Sequence, residues 1–180
     1  MSRDAKRKKF DINDLSLEPV NSFDESLYLS IFNCKRTMMH VKPLTHAQIL
    51  SNFKYILQSP TEIYFSIKLN VTKQKVGVLG VSVDKKDYRK AELGVLLLPK
   101  VSPKGTSKFS MIKFINWLFQ NTELEKIKYV IALKNKAAIR SCKTINVDFS
   151  CSNLTDDPQI GYIRKTEWVD KQIEGNLVNV

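Results

Sequence analysis

The chain has 180 residues, 43% of them hydrophobic, and a formal charge of +11. That length accommodates one globular domain with a sizeable core and no room for a second. No apolar run approaches the ~20 residues that span a bilayer, and no hydrophobic segment follows the opening MSRDAKRKKF, so a cytoplasmic protein without a membrane partner is expected.

Five of the first ten residues are Lys or Arg, and residues 1–12 read as a basic flexible tail ahead of a domain over 13–170. LSLEPV, from Leu15, reads as a first strand. DESLYLSIFNCKRTMM carries Leu27, Ile31 and Cys34 at helical spacing, with Asp24 as a cap. Thr45 is a good N-cap for a second amphipathic helix whose apolar face is Ile49, Leu50, Phe53, Ile56 and Leu57. TEIYFSIKL then places Ile63, Phe65 and Ile67 on one side of a strand. KVGVLGVSVD is short and almost uniformly apolar, as a strand covered on both faces would be, and the two form a hairpin. KKDYRKAE leads into a buried strand, Glu92 to Leu98.

The segment PKVSPKGTSKF follows. Pro99 stops the strand because it cannot donate to a ladder, and Pro103 with Gly105 forces a compact reversal before a helix begins near Thr106. The first amides of a helix lack intrahelical partners, so Gly105, Thr106, Ser107 and Lys108 are expected to aim donors outward at an anion. An ordinary strand-to-helix turn is the alternative. The helix Ser107 to Gln120 is apolar almost all round, with Trp117 expected in the core and Lys113 and Asn116 toward solvent. IKYVIAL is another strand, NKAAIRSCKTIN a short helix, VDFSC a sixth strand, and QIGYIRKTEW a seventh with Tyr162 at its middle. Residues 171–180 read as a tail. The cysteines Cys34, Cys142 and Cys151 and the histidines His40 and His46 have no metal-ligand spacing, so no metal is expected. The dispersed lysines accompany no recognisable RNA- or DNA-binding motif, which leaves a basic nucleic-acid-associated protein as a minority third reading.

The run PKVSPKGTS, then a helix, a strand and NKAAIRSCKTIN, resembles the GNAT N-acyltransferase family. Its phosphate loop runs Pro-x-x-Arg/Gln-x-x-Gly-x-Gly/Ala after the fourth strand. Ser102 stands at the Arg/Gln position, Gly105 keeps the first glycine and Ser107 replaces the second; Asn135 and Ala138 match the family's Asn-x-x-Ala, with Asn146 and Val147 in its closing pair. The resemblance implies an α/β (α+β) fold, a mixed and mostly antiparallel sheet with helices on both faces and one splayed strand pair. It implies acetyl-CoA or another acyl-CoA as donor, held by the backbone of Val95, Leu96 and Leu97, by the loop from Pro103 through Lys104 to Lys108, and by Asn135. The acceptor is a primary amine, with Asn33 as a substrate-site candidate. The branch implied acts on sugar-nucleotide amines or protein N-termini, and the net positive charge mildly favours an anionic acceptor.

The family's catalytic tyrosine position is Cys142 here, and its strand glutamate corresponds to Val130. Glu92 is therefore the general-base candidate and Cys142 the residue at the leaving-group position. Those departures give a second reading, a catalytically degenerate GNAT-like module that binds acyl-CoA or a protein. The last strand is exposed enough to pair with a copy of itself as a homodimer.

Overall fold

A computed structural model describes residues 10–153 and 155–173. A six-stranded sheet in sequential order carries everything else: β1 (Leu15–Pro19), β2 (Glu62–Leu69), β3 (Lys75–Val83), β4 (Lys90–Leu97), β5 (Lys126–Ile131) and β6 (Gln159–Arg164). Every neighbouring pair is antiparallel except β4 and β5, so the sheet is mixed and mostly antiparallel, as expected. Among the described residues, no helix is long and apolar enough to cross a membrane.

Alternation along the strands sends two sets of side chains to opposite faces. Helices α1 (Glu25–Phe32) and α2 (His46–Gln58) cover one face, where Tyr28, Ile31, Ile49 and Phe53 bury Val78 and pack against Leu96 and Leu98. Thr45 and Gln48 form a capping box that starts α2. On the other face, α3 (Thr106–Asn121), α4 (Lys136–Lys143) and α5 (Lys165–Ile173) close over the larger core, which includes Phe65, Ile67, Leu93, Phe114, Ile127, Cys142 and Trp168.

The strand count is six rather than about seven. VDFSC contributes only a bridge between Asp148 and Tyr162, because the Asp148 carboxylate takes the amide of Ser150 at 2.8 Å and turns the chain away. QIGYIRKTEW is strand only to Arg164, and α5 takes over at Lys165. The tail expected from 171 is still helical to Ile173, and residues 174–180 lie outside the described residues. At the front, Phe10 and Ile12 pack against the core, inside the segment read as a tail, and residues 1–9 are outside the description. Helix α1 ends at Phe32, short of Cys34, as Thr37 in the following turn reaches across to β4. Trp117 is 37% exposed rather than core, and Asn116 faces inward, accepting a hydrogen bond from Trp168 Nε1 at 2.6 Å. The expected self-pairing edge is engaged too. Tyr162 exchanges both backbone bonds with Asp148, and Ile160 is bonded at N and O by the Ser152 hydroxyl.

Asp24 does not cap α1 with its side chain. It is 2% exposed and its Oδ1 accepts from Lys75 Nζ at 2.7 Å, while Lys75 also lies 3.3 Å from Glu18. Burial lowers the Lys75 pKa and hydrogen bonds to Asp24 and Glu18 raise it, with the rise prevailing. Replacing Lys75 by Met strands a buried carboxylate, so urea unfolding of Lys75→Met should show a loss of roughly 3 kcal/mol. Two strand glycines give a contrasting pair. A Cβ on Gly80 would meet the Tyr64 ring at 2.4 to 2.6 Å, whereas one on Gly94 meets nothing within 4 Å. Gly80→Ala should therefore cost about 1–3 kcal/mol in the same measurement, and Gly94→Ala should show no loss from crowding.

Candidate functional site

The parallel pairing of β4 with β5 lasts for Lys90↔Lys126, Ala91↔Ile127 and Glu92↔Lys128, and then stops. From Leu93 onward the strands part, leaving a slot whose β4 wall continues into the turn before α3 and whose β5 wall continues into α4. Leu98 N donates to Val76 O at 2.8 Å. The alternation of an antiparallel ladder then directs the backbone groups of Leu96 toward β3 and those of Val95 and Leu97 toward the slot. Of the three residues expected to offer backbone bonds, Leu96 is thus committed within the sheet. Leu97 O already accepts from the Thr37 hydroxyl at 2.6 Å, and Val95 is unobstructed by that bond.

At the end of the slot the turn is held from inside. Ser102, in the family's Arg/Gln position, donates its hydroxyl to Leu98 O at 2.9 Å and Val76 O at 3.3 Å. Gly105 has φ 100°, the left-handed region that glycine enters without penalty. Its bare Cα matters as well, since a Cβ would stand 3.0 Å from Phe109. Thr106 does not present its amide outward, because both its N–H and its hydroxyl donate to Pro103 O, at 3.2 and 2.8 Å. Among the described residues, the amides of Lys104, Gly105, Ser107 and Lys108 have no acceptor in the protein. Those donors at the positive end of a 16-residue helix form an anion cradle. The Lys108 ammonium lies 5.6 Å from the Phe109 ring centre.

Helix α4 adjoins this cradle through Ser141 Oγ, which donates to Ser107 Oγ at 3.0 Å. Asn135 caps α4, its Oδ1 accepting from Ala138 N at 3.1 Å. Cys142 is not brought to the slot. Its thiol is 4% exposed within the core, and burial pushes its pKa up to about 12. Beside it, the Tyr129 hydroxyl is buried without a hydrogen-bond partner, and burial raises its pKa well above the usual value. Asn33 sits exposed at the end of α1, with its amide bonded back to Leu29.

Glu92 lies at the base of the slot, at the last pair before the strands part, on the face that α1 and α2 leave open. Lys128 Nζ is 3.6 Å from its carboxylate. In register with it stand Ser82 on β3 and Glu62 on β2, and the Ser82 hydroxyl donates to Glu62 at 2.7 Å. Tyr64, two residues along β2 toward the open end, has its pKa raised by burial first and by Glu62 next, with Glu92 adding to it. Sequence reasoning missed Thr37, Ser141, Glu62, Tyr64 and Ser82. The strand glycine Gly80, against which the Tyr64 ring packs, is the sequence feature that pointed to a close approach there.

A cavity of about 470 Å³, lined by Asp87, Arg89, Lys90, Glu125, Lys126, Arg164, Lys165 and Thr166, lies at the opposite ends of β4 and β5 from the slot. Ion pairs link its Arg89 and Lys90 to Asp87 and its Arg164 to Glu167. The slot, with its unpaired amides, is the better-built site for a long phosphorylated ligand.

The acetyltransferase (GNAT) domain family model matches residues 14–146. No curated protein sequence is significantly similar to the chain. Among solved structures, it is similar to a spermidine N-acetyltransferase from Vibrio cholerae in complex with CoA and spermine, at 17% identity and a TM-score of 0.74 over 87% of this chain and 99% of that one. It is also similar to FdhC, a nucleotide-linked sugar GNAT in its apo form, at 14% identity and a TM-score of 0.73 over 92% and 94% of the two chains. By that family-model match over most of its length, the chain belongs to the GNAT acetyltransferases, enzymes that take their acyl group from a coenzyme A thioester.

Proposed function

We propose that this protein transfers an acetyl group from acetyl-CoA to a primary amine by direct attack, with Glu92 as the group nearest the incoming nitrogen. The observation that carries the reading is the end of β4–β5 pairing directly after Glu92, with the slot it opens leading to the unpaired amides of Gly105, Ser107 and Lys108.

Acetyl-CoA supplies a thioester carbonyl. The chain's own residues supply the rest: Val95 and Leu97 offer backbone groups to the donor's amide-bearing arm as a neighbouring strand would, and the loop amides meet its diphosphate. Glu92 accepts, directly or through water, the proton that the amine must lose before its nitrogen bonds to the carbonyl carbon. As the carbon–sulfur bond breaks, the nitrogen gives up its second proton, which passes by water to the departing sulfur, while the first leaves Glu92 to solvent. Cys142 has no part in this account, because a thiol sealed in the core and held neutral by its raised pKa neither reaches the slot nor ionises at working pH.

A thermal-shift titration should show acetyl-CoA raising the melting temperature, and an amine panel should then release free thiol. Binding without thiol release from any amine would instead fit an acyl-CoA-binding module. Gly105→Asp puts a carboxylate into the anion cradle and a side chain at a positive φ. It should weaken coenzyme A binding by at least about tenfold, and unchanged affinity would remove the cradle from the proposal. Cys142→Ser should keep kcat within about threefold of the parent protein. A loss of 10²-fold or more, the size of a general-acid effect, would return that position to the chemistry.

A further inference from the structure

The face of the sheet above Glu92 holds more than a single carboxylate. Glu62, Ser82 and Glu92 are cross-strand partners in one row over β2, β3 and β4 and project to the same face. The Ser82 hydroxyl donates to Glu62 Oε2 at 2.7 Å, which draws that carboxylate over β3 toward Glu92. The next row toward the open end is Tyr64, Gly80 and Gly94. The Tyr64 ring lies flat against Gly80, while above Gly94 a Cβ would find no heavy atom within 4 Å. The row after that, Val78 and Leu96, is already under α1 and α2. A hollow one residue wide is left, floored by Gly94, with Tyr64 on one side, two carboxylates behind it and the parting strands in front.

We propose that this hollow is the acceptor subsite and that it selects an aliphatic amine carrying a second positive charge. The inference rests on the transferase reading for which end of the acceptor reacts. The reacting nitrogen belongs beside Glu92, at the base of the slot. Glu62 lies two strands further off, roughly 10 Å by strand spacing, and so meets the remote end of the acceptor. An intervening aliphatic chain would run along the Tyr64 ring, whose face also attracts a cation. Two carboxylates face one partner cation, Lys128, at 3.6 Å from Glu92. Lys85, on the β3–β4 connection, and Glu62 both act on Tyr55 of α2, yet Glu62 makes no ion pair among the described residues. An acceptor bearing phosphates would bring its negative charge toward Glu62. The overall charge of +11 does not reverse this preference, since exposed charges beyond a Debye length of about 8 Å are largely screened.

The test is calorimetric titration of the full chain with 1,4-diaminobutane and with n-butylamine, in the presence of saturating coenzyme A and again without it. The diamine should bind more tightly than the monoamine. Glu62→Gln should weaken the diamine about fivefold, the size of one partly exposed ion pair, and leave n-butylamine and coenzyme A unchanged. Gly94→Val, whose side chain enters open space, should abolish diamine binding with coenzyme A binding intact. Equal affinity for the two amines, a diamine affinity indifferent to Glu62→Gln, or tighter binding of an amino-sugar nucleotide would overturn the proposal. Failure of coenzyme A to bind would instead strike the transferase reading, because the hollow is built from β2, β3 and β4 alone and the titration without coenzyme still reads it.

Discussion

The site depends on a hydrogen-bond ladder that is broken off. Two parallel strands gain from pairing along their whole length, yet β4 and β5 pair over three residues and then part. The unpaired backbone beyond that point would be costly if buried dry. Parting becomes tolerable because β4 is still held on its other side by β3 over seven residue pairs, and β5 is held likewise by β6 over six. Each wall of the slot is therefore the edge of a rigid two- or four-stranded sheet.

The helices divide their labour across that sheet. On one face α3, α4 and α5 seal a continuous core, and α3 projects its N-terminus to the far end of the slot. On the other, α1 and α2 cover chiefly the rows at the open end of β3 and β4, leaving Ser82, Glu92 and Gly94 exposed and Glu62 half-buried. The slot thus opens onto a half-covered sheet face. The polar groups gathered there differ in character: unpaired backbone amides at one end, carboxylates and a tyrosine on the open face. In the proposed reading the first meet a diphosphate and the second an amine, within one chain of strongly positive net charge.

Local signals made much of this legible. The turn from Pro99 to Ser107 could be read because proline and glycine have narrow backbone meanings, and Gly105 has the positive φ that such a turn requires. The end of β6 could not be read: QIGYIRKTEW is apolar enough to continue as a strand, yet Lys165 onward is helical, with Trp168 docked on Asn116, a contact from a distant element. Trp117 and Asn116 exchanged their expected roles for the same reason, since a helix packed between a sheet and another helix has no single solvent face. In the site, Glu92 was identifiable from its strand, but Glu62 and Ser82 come from two other strands and meet it only through register. Cys142 was assigned by motif position alone. Position along a helix fixes a side chain's direction, and the depth of its surroundings follows from what packs around α4.

The hydrogen bond from Thr37 to Leu97 O ties these parts together. A carbonyl oxygen has two lone pairs, so Leu97 can keep Thr37 and still accept a donor from within the slot. The connection between α1 and α2 and the β4 wall of the slot thus meet at one shared oxygen atom. Losing the Thr37 hydroxyl would therefore untether that connection from the edge of β4 without removing a ladder bond.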